Sequence, residues 1–361
     1  MIGLYCPELP PVRGGVADHT LVLARAMETL GGRPAVLGRY GDPALFAPLP
    51  CHVGLSPWRV GRVARLLRLT GIVVQYVPFL FARRGVSLQL WPAVWRLRRA
   101  GVKIAVVLHE PYVPFTRLSW LVTGWPMRWQ LRWLLGHTAL VYAPVPRYVE
   151  IAKRYAPRAR VKLAPVGATL PVSALSRDAA RVKLGLQSGM VAIGVFSPAA
   201  AGFLRPWIEE AAKKLAGNAQ VAWIVFGFGE ELVLRDPPPG SRVLHVPDHE
   251  PEVVTRIMRA LDIAAAPYVD GLTLRRSGAM LALAHGVPTV SSTGPLFDQR
   301  LSELAACEAT SAAFAARLAR LVMNQGERAA QAARAQGYRT KASVEVLARQ
   351  LLNDLGGGGD R

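Results

Sequence analysis

Two adjacent arginines in the second half of the chain lie where an anion could bind. Arg275 and Arg276 follow an apolar, strand-like segment and a turn at Asp270, and we expect a helix over 273–286 with both arginines in its first turn. Cations are normally disfavoured at a helix N-terminus. Two guanidinium groups there fit a site that holds a strongly anionic group, such as a diphosphate, between the helix dipole and the arginines. A solvated pair of surface arginines is the alternative.

A second candidate is the glycine pair Gly14 and Gly15, between the strand-like MIGLYC and a helix-like segment that starts near Asp18. Paired glycines let backbone N–H groups approach a ligand closely, and the following helix N-terminus favours anions. The same glycines also fit a purely structural turn. Asp18 and His19 lie in the first turn of this helix, where an acid is favourable even without a function.

A third candidate follows the strand-like VKIAVVL. His109 and Glu110 stand at its carboxyl end, with a proline after them. Parallel sheets bind ligands at the carboxyl ends of their strands, so two titratable groups there are well placed for a site. A structural histidine at the end of a buried strand is an equally good interpretation of His109.

Short apolar runs alternate with helical patterns along the whole chain, and this alternation positions the three loops. Runs such as GIVVQYV and AQVAWIVFG are almost uniformly apolar, as in parallel sheets covered on both faces. The pattern predicts an α/β protein with two doubly wound, Rossmann-like domains that face a central cleft. We expect one domain over 1–168, another over 169–340, and a C-terminal helix in 341–361 that crosses back to the first domain before a disordered GGGGDR tail.

Positive charge is concentrated in the first half. The chain carries 44 Lys and Arg against 24 Asp and Glu, a net charge of +20, and residues 1–168 hold 23 of the bases but only six of the acids. This asymmetry implies an anionic partner, either a membrane surface, a nucleic acid or a polyanionic substrate. An arginine-rich coding bias is the alternative. The three cysteines form no metal or disulfide pattern, which fits a reducing compartment, and no uncharged apolar run is long enough to span a membrane.

Tryptophans and arginines interleave over 113–135. We expect a short helix over 126–135, stopped by Gly136, and such a segment suits a bilayer interface, with Trp at the headgroups and Arg on anionic lipid. The segment 56–71 has a similar basic spacing. Tryptophans at helical spacing are also common in protein cores. The residues expected to face a membrane are Arg117, Trp120, Trp125, Arg128, Trp129, Arg132 and Trp133.

Taken in order, these segments resemble those of retaining GT-B glycosyltransferases, and the chain is similar to glycosyltransferase family 4 over essentially its whole length. The resemblance rests on GGVADHT, LHEPYVPF, APVPRYVEIAKRY and, most specifically, DIAAAPYVDG followed by RRSGAMLALAHGVPTVSSTG. It implies transfer of a sugar from a nucleotide-diphosphate sugar, held mostly by the second domain, to an acceptor held by the first. It implies no metal and no cofactor besides this co-substrate.

The resemblance also assigns residues. It implies that His109 contacts the sugar near the reacting centre, with Asp18 and His19 as candidate catalytic contacts on the acceptor side. The FGFGEE turn at 226–231 would border the nucleotide base. The implied donor-binding residues are Gly14, Gly15, Glu110, Gly227, Gly229, Asp270, Gly271, Leu272, Thr273, Arg275 and Arg276.

Two departures from the family pattern bear on catalysis. The family's two glutamates, eight positions apart, correspond to Thr273 and Leu281, and its Arg and Lys after the first strand of the second domain are missing near Ala201. Arg275 and Arg276 could replace the lost charge. The alternative is a non-catalytic GT-B scaffold or partner subunit with a degenerate donor site.

Together with the basic first half, the resemblance predicts a cytoplasmic enzyme, peripherally bound to the inner face of the membrane. Its expected acceptor is lipid-linked, in glycan or polysaccharide biosynthesis. A sugar-nucleotide epimerase on the same fold is a further alternative. The sequence contains no helix-turn-helix, zinc or RNA-binding signature, so no specific nucleic acid is expected as a partner.

Overall fold

The computed structural model describes residues 1–12, 14–113, 118–247 and 250–356. The chain forms two compact units. The first comprises Met1–Thr169 together with Val344–Arg361, and the second comprises Leu170–Ser343. The boundaries expected after residues 168 and 340 fall one and three residues before these divisions. The tail over 357–361 lies outside the described residues.

The first unit contains a parallel sheet of seven strands, which are β1 (Ile2–Tyr5), β2 (Pro34–Leu37), β3 (Cys51–His52), β4 (Gly71–Tyr76), β5 (Lys103–Leu108), β6 (Leu140–Ala143) and β7 (Arg160–Leu163). Their order across the sheet is β3-β2-β1-β4-β5-β6-β7. All neighbouring strands run parallel, for example with Ile2 opposite Gly71 and Leu140 opposite Arg160.

The second unit contains a parallel sheet of six strands, which are β8 (Val191–Phe196), β9 (Val221–Phe226), β10 (Arg242–Val246), β11 (Ile263–Ala266), β12 (Thr289–Ser292) and β13 (Ala306–Glu308). Their order is β10-β9-β8-β11-β12-β13. The expectation of an α/β fold with two doubly wound parallel sheets is confirmed.

Helices connect the strands throughout. They are α1 (Gly15–Thr29), α2 (Pro57–Leu66), α3 (Pro78–Phe81), α4 (Leu90–Arg99), α5 (Leu118–Gly136), α6 (Pro146–Tyr155), α7 (Arg177–Lys183), α8 (Arg205–Lys214), α9 (Pro251–Ala260), α10 (Ser277–Ala284), α11 (Ser311–Met323), α12 (Gln325–Ala335), α13 (Tyr338–Lys341) and α14 (Val344–Gly356). Short 3₁₀ helices lie at Pro43–Phe46, Glu230–Leu232 and Gln299–Glu303.

The strands are apolar because helices cover both faces of each sheet. Every residue of β4 and β9 is buried, and so are five of the six residues of β5. Gln75 in β4 is an amide inside this otherwise apolar region, and it is fully buried. Since the faces are closed, loops at the carboxyl ends of the strands are the places where polar groups can gather.

Each sheet has one point where its strand order reverses. In the first sheet the chain moves outward from β1 to β2 and β3, then returns to the other side of β1 with β4. In the second sheet the corresponding point lies between β8 and β11. The connections diverge there, and open α/β sheets generally bind ligands at the carboxyl edge of such a point.

Three helices of the first unit lie side by side. Helix α2 packs against α4. Trp91 of α4 contacts Trp129 and Trp133 of α5, with ring centroids 4.3 and 4.9 Å apart. Helix α1 packs instead against the C-terminal α14. Helix α14 therefore belongs to the first unit.

The helix expected over 126–135 is longer than its sequence pattern indicated. It extends over Leu118–Gly136 and contains Pro126 in its interior. Proline removes one helical hydrogen bond, and a proline within a helix is unfavourable by roughly 3 kcal/mol. Burial of Met127 and Leu131 on the inner side of the helix offsets this cost, and Arg128 Nη1 donates to the Gly124 carbonyl at 2.9 Å. Within the described residues, no helix combines the length and the apolar character needed to cross a membrane.

A buried carboxylate fixes α14 to the first sheet. Asp354, whose side chain is 8% exposed, accepts a hydrogen bond from Tyr142 Oη at 2.5 Å and an ion pair from Lys162 Nζ at 2.5 Å. Burial alone would raise the pKa of Asp354, but the bonds from Lys162 and Tyr142 outweigh it and lower the pKa. Leu347 and Leu351 of α14 join the same core as Leu23 of α1.

We expect Asp354→Asn to destabilise the first unit by about 1–3 kcal/mol, because Lys162 loses its counter-charge and the bond from Tyr142 weakens. The pKa of Asp354 is lowered on folding, so its stabilisation is present above pH about 4 and is lost as the pH falls through the folded value. Urea unfolding followed by tryptophan fluorescence measures this, since seven of the nine tryptophans lie in the first unit. Asp236→Asn, at an exposed acid of the second unit, is the control. Equal stability of Asp354→Asn and the wild type would contradict this role.

Candidate functional site

Three buried polar side chains gather at the reversal point of the first sheet. His19 lies in α1, Gln75 in β4, and His109 directly after β5. His109 Nε2 lies 2.7 Å from Gln75 Oε1. The rings of His19 and His109 meet edge to face, with centroids 4.9 Å apart and planes at 78°. Two of the predicted catalytic residues, His19 and His109, therefore lie together, and Gln75, which was not predicted as a site residue, bonds to His109.

Burial keeps both histidines neutral. It lowers the pKa of His19 to about 4, and the neighbouring Gln75 offsets only part of this shift. The pKa of His109 lies well below its usual range, first because of burial and then because His19 is close. Neither imidazole therefore carries a charge near pH 7.

The cluster contains buried polar atoms without partners. Among the described residues, the two ring nitrogens of His19 and Nε2 of Gln75 have no hydrogen-bond partner. An unsatisfied buried polar group costs about 1–3 kcal/mol, and native proteins contain few of them. Their concentration at the ligand-binding edge of a sheet indicates a site that a polar ligand or water can complete.

The glycine pair lies at the start of α1, on the same edge. Gly14 is the N-cap, in an extended conformation, and the helix begins at Gly15. A Cβ atom at either position would meet no other atom within 4 Å, so among the described residues neither the packing nor the backbone conformation requires glycine. Asp18 is half-buried and burial raises its pKa, whereas Glu110 is exposed.

A charged cluster occupies the reversal point of the second sheet. Arg275 Nη2 lies 2.7 Å from Asp270 Oδ2, and Arg276 Nη2 pairs with Asp270 Oδ1. Arg276 Nη1 donates to the Ala201 carbonyl at 2.8 Å, and its guanidinium lies over the Tyr268 ring, 4.3 Å from the centroid. The cluster therefore joins the loop after β8 to the loop after β11 and carries two positive charges against one negative charge.

The helix expected from residue 273 begins four residues later. Helix α10 starts at Ser277 with Arg276 as its N-cap, so both arginines precede the helix. The reason is that Leu272 is fixed by long-range backbone bonds. Its N–H donates to the Ser292 carbonyl and its own carbonyl accepts from Asp298 N, each at 3.0 Å. The arginines are also mostly buried and ion-paired, which excludes the solvated surface pair considered above.

The remaining predicted donor residues of the second unit fall into two groups. Gly227, Gly229 and Gly271 have positive φ angles of 80, 75 and 82°, and a Cβ at each would come within 2.7 Å of a neighbouring atom, so these turns require glycine. Leu272 and Thr273 are fully buried, and Thr273 Oγ1 has no hydrogen-bond partner among the described residues.

Leu281 and Ala201, two of the three positions that depart from the family pattern, differ in character. Leu281 is buried within α10 and presents no polar group. The carbonyl of Ala201 accepts from Arg276, so the loop after β8 still takes part in the charged cluster through its backbone. Gln75 and Tyr268 were not predicted as site residues from the sequence. A single amide in the apolar run GIVVQYV was the available signal for Gln75, but no pattern marked Tyr268.

Basic and aromatic side chains cover the outer side of α2, α4 and α5, here called the basic aromatic face. Trp125 and Trp129 are 67% and 55% exposed, and Arg132 is exposed, whereas Trp133 is half-buried against Trp91. Arg128 is half-buried over the ring of Tyr112. Arg117 and the side chain of Trp120 lie outside the described residues. The helices α2 and α4 add Trp58, Arg59, Arg62, Arg65, Trp95, Arg96, Arg98 and Arg99.

The chain is similar in fold to several solved structures. WaaG, a glycosyltransferase involved in lipopolysaccharide biosynthesis, matches with a TM-score of 0.66 at 12% identity over 99% of this chain and 100% of WaaG. HepE of Anabaena, in complex with UDP and glucose, matches with a TM-score of 0.67 at 14% identity over 99% of each chain. Sucrose-phosphate synthase of Thermosynechococcus elongatus matches with a TM-score of 0.63 at 16% identity over 99% of each chain.

No protein-family model matches the sequence, and no curated protein matches it either. At these low identities the likeness to solved structures concerns the fold. Two α/β units with parallel sheets of seven and six strands are the architecture of GT-B glycosyltransferases.

We expect the stability of the protein to fall as the pH is lowered from about 7 to 5, because buried histidines stay neutral while the unfolded chain binds protons. Besides His19 and His109, the pKa of His285 is lowered mainly by burial, and its Nδ1 and Nε2 bond to Leu281 O and Ser173 N. Each histidine contributes up to about 1.4 kcal/mol per pH unit below its unfolded pKa. Urea unfolding at several pH values measures the slope.

His19→Gln should flatten this pH dependence, since it removes one buried titratable group. His52→Gln, at a histidine outside the cluster that is partly exposed, is the matched control. A slope unchanged by His19→Gln would contradict the burial of a neutral His19.

Proposed function

We propose that this protein is a glycosyltransferase that moves a sugar from a nucleotide-diphosphate sugar to an acceptor. The charged cluster of Asp270, Arg275 and Arg276 is the observation that carries the proposal. It lies at the reversal point of the second sheet, where open α/β sheets bind ligands, and has an excess of one positive charge. The same proposal is supported by the likeness in fold to WaaG, to HepE bound to UDP and glucose, and to sucrose-phosphate synthase.

In this proposal the guanidinium groups hold the diphosphate. Arginine forms bidentate, charge-assisted hydrogen bonds to phosphate, and these strengthen as negative charge develops on the departing nucleotide. We therefore assign neutralisation of the leaving group to Arg275 and Arg276 and not to a metal ion. Retention of configuration is carried over from the family resemblance. In this proposal His109 contacts the sugar, and Asp18 and His19, neighbours in α1, contact the acceptor.

The proposal for the acceptor is based on residues of the first unit. The basic aromatic face combines exposed tryptophans with arginines on three adjacent helices, and the segment 43–109 contains ten basic residues and no acid. Interfacial Trp and cationic Arg suit an anionic membrane surface. We propose a lipid-linked acceptor, glycosylated at the cytoplasmic face of the membrane in glycan or polysaccharide biosynthesis.

One observation favours a second candidate, a non-catalytic GT-B scaffold. Asp270 already pairs with both arginines, so each guanidinium has a counter-charge without a ligand. Leu281 also replaces a polar family residue with a buried apolar one. A protein that kept the fold but lost donor binding would have these features.

Nucleotide binding separates the two candidates. We expect UDP, GDP or ADP to bind the purified protein in calorimetry, and Arg275→Ala/Arg276→Ala to weaken binding by about a hundredfold or more, since each of two charged hydrogen bonds contributes about 1.5–3 kcal/mol. The matched control is Arg235→Ala, at an exposed arginine of the same unit. Absence of binding by all three nucleotides would favour the scaffold.

Vesicle binding tests the membrane part independently. We expect sedimentation with vesicles of phosphatidylcholine and phosphatidylglycerol at low salt, and its loss at high salt. Arg62→Gln/Arg65→Gln should weaken binding roughly thirtyfold, at about 1 kcal/mol per arginine. Trp125→Ala/Trp129→Ala should also reduce it, whereas Met323→Ala, an exposed apolar residue of the second unit, should not. A protein that ignores anionic vesicles at low salt would contradict the membrane surface.

A further inference from the structure

Gln75 is the buried amide at the centre of the first-unit cluster. Its position in β4, between β1 and β5 in the sheet, brings it to both histidines of the cluster. Its Oε1 is 2.7 Å from His109 Nε2, and the side chain is fully buried. A buried amide in an apolar strand is unfavourable unless a hydrogen bond compensates it. The bond to His109 is the compensation that this structure provides.

This hydrogen bond determines which ring nitrogen of His109 carries the proton. A carboxamide oxygen only accepts hydrogen bonds, so Nε2 of His109 must carry the proton that it donates. In a neutral imidazole the other nitrogen, Nδ1, then carries the lone pair. The partner of one ring nitrogen thereby sets the tautomer that the other presents.

We propose that Gln75 is a positioning residue: by accepting the Nε2–H of His109, it holds this histidine as a neutral imidazole whose Nδ1 accepts a hydrogen bond from a hydroxyl of the transferred sugar. The inference rests on the proposed function, in which His109 contacts that sugar. His19 supports the neutral state from the other side, since its ring lies edge to face with His109 and is itself buried.

The uncharged state of His109 matters for the proposed sugar transfer. Glycosyl transfer passes through a transition state in which positive charge develops on the sugar ring. An imidazolium beside that ring would oppose this charge, whereas a neutral acceptor would not. The ionisable groups next to the cluster along the chain are Asp18, which is half-buried, and Glu110, which is exposed. Lowered pKa values for His19 and His109 agree with a cluster that stays uncharged.

Nitrogen-15 NMR of the full chain, labelled in its seven histidines, tests the proposal without requiring activity. The signals of His109 are assigned by their loss in His109→Gln. We expect the wild type to show one tautomer, protonated at Nε2 and unprotonated at Nδ1, with no titration between pH 5 and 8. A mixture of tautomers, protonation at Nδ1, or titration in this range would overturn it.

Two substitutions then test the role of the amide. In Gln75→Leu, which removes the acceptor at similar size, we expect His109 to become a mixture of tautomers. In Gln75→Glu, we expect a carboxylate beside His109 to favour imidazolium, so that the ring titrates between pH 5 and 8. Gln89→Leu, an exposed glutamine of the same unit, is the control. A His109 spectrum that is the same in both Gln75 variants as in the wild type would overturn the proposal.

Activity provides a separate readout. If the wild type transfers sugar, Gln75→Leu should lower kcat roughly tenfold to hundredfold, as for other residues that orient a functional histidine, while KM for the donor changes little. An unchanged kcat would overturn the positioning role. Absence of transfer by the wild type would count against the proposed function, and the NMR result would still decide the state of His109.

Discussion

Burial of both sheets on both faces is the constraint on which the arrangement of this protein depends. Parallel strands such as β4, β5 and β9 have no face left for solvent, so their side chains are almost all apolar. Loops at the carboxyl edges of the sheets are therefore where polar groups can gather around a ligand, above all at the points where the strand order reverses. The two clusters of polar side chains described above lie at these points, one in each unit.

The two clusters differ in their charge. In the first unit, burial removes charge from His19 and His109 and leaves a neutral group of donors and acceptors. In the second unit, Asp270 pairs with two mostly buried guanidinium groups, and the Ala201 carbonyl and the Tyr268 ring also contact that of Arg276. In the proposed function, the neutral environment suits a sugar on which positive charge develops, and the positive one suits a diphosphate on which negative charge develops. The proposed transfer therefore assigns the sugar to the neutral cluster and the diphosphate to the charged cluster.

Local patterns predicted the elements well, and long-range contacts explain where they failed. The apolar runs located the strands, and the loops at His109 and Arg275 were predicted as sites because they follow such runs. The start of α10 was missed because Leu272 is bound to β12 and to Asp298, which no local pattern encodes. Gln75 was overlooked because the partner of its hydrogen bond, His109, lies 34 positions away in the chain. The extent of α5 depends on burial of Met127 and Leu131, which outweighs the proline signal.

The return of α14 to the first unit also has a consequence for how the chain folds during its synthesis. Residues 344–356 emerge from the ribosome after the whole second unit, yet Leu347 and Leu351 complete the core around Leu23 in α1. Domains generally fold as units as they are made. Here all residues of the second unit are synthesised before those of the first unit are complete. Until α14 is made, the side of α1 that packs against α14 stays uncovered. For that interval the nascent chain exposes apolar surface on its N-terminal half, the period in which a chaperone would be of most use to it.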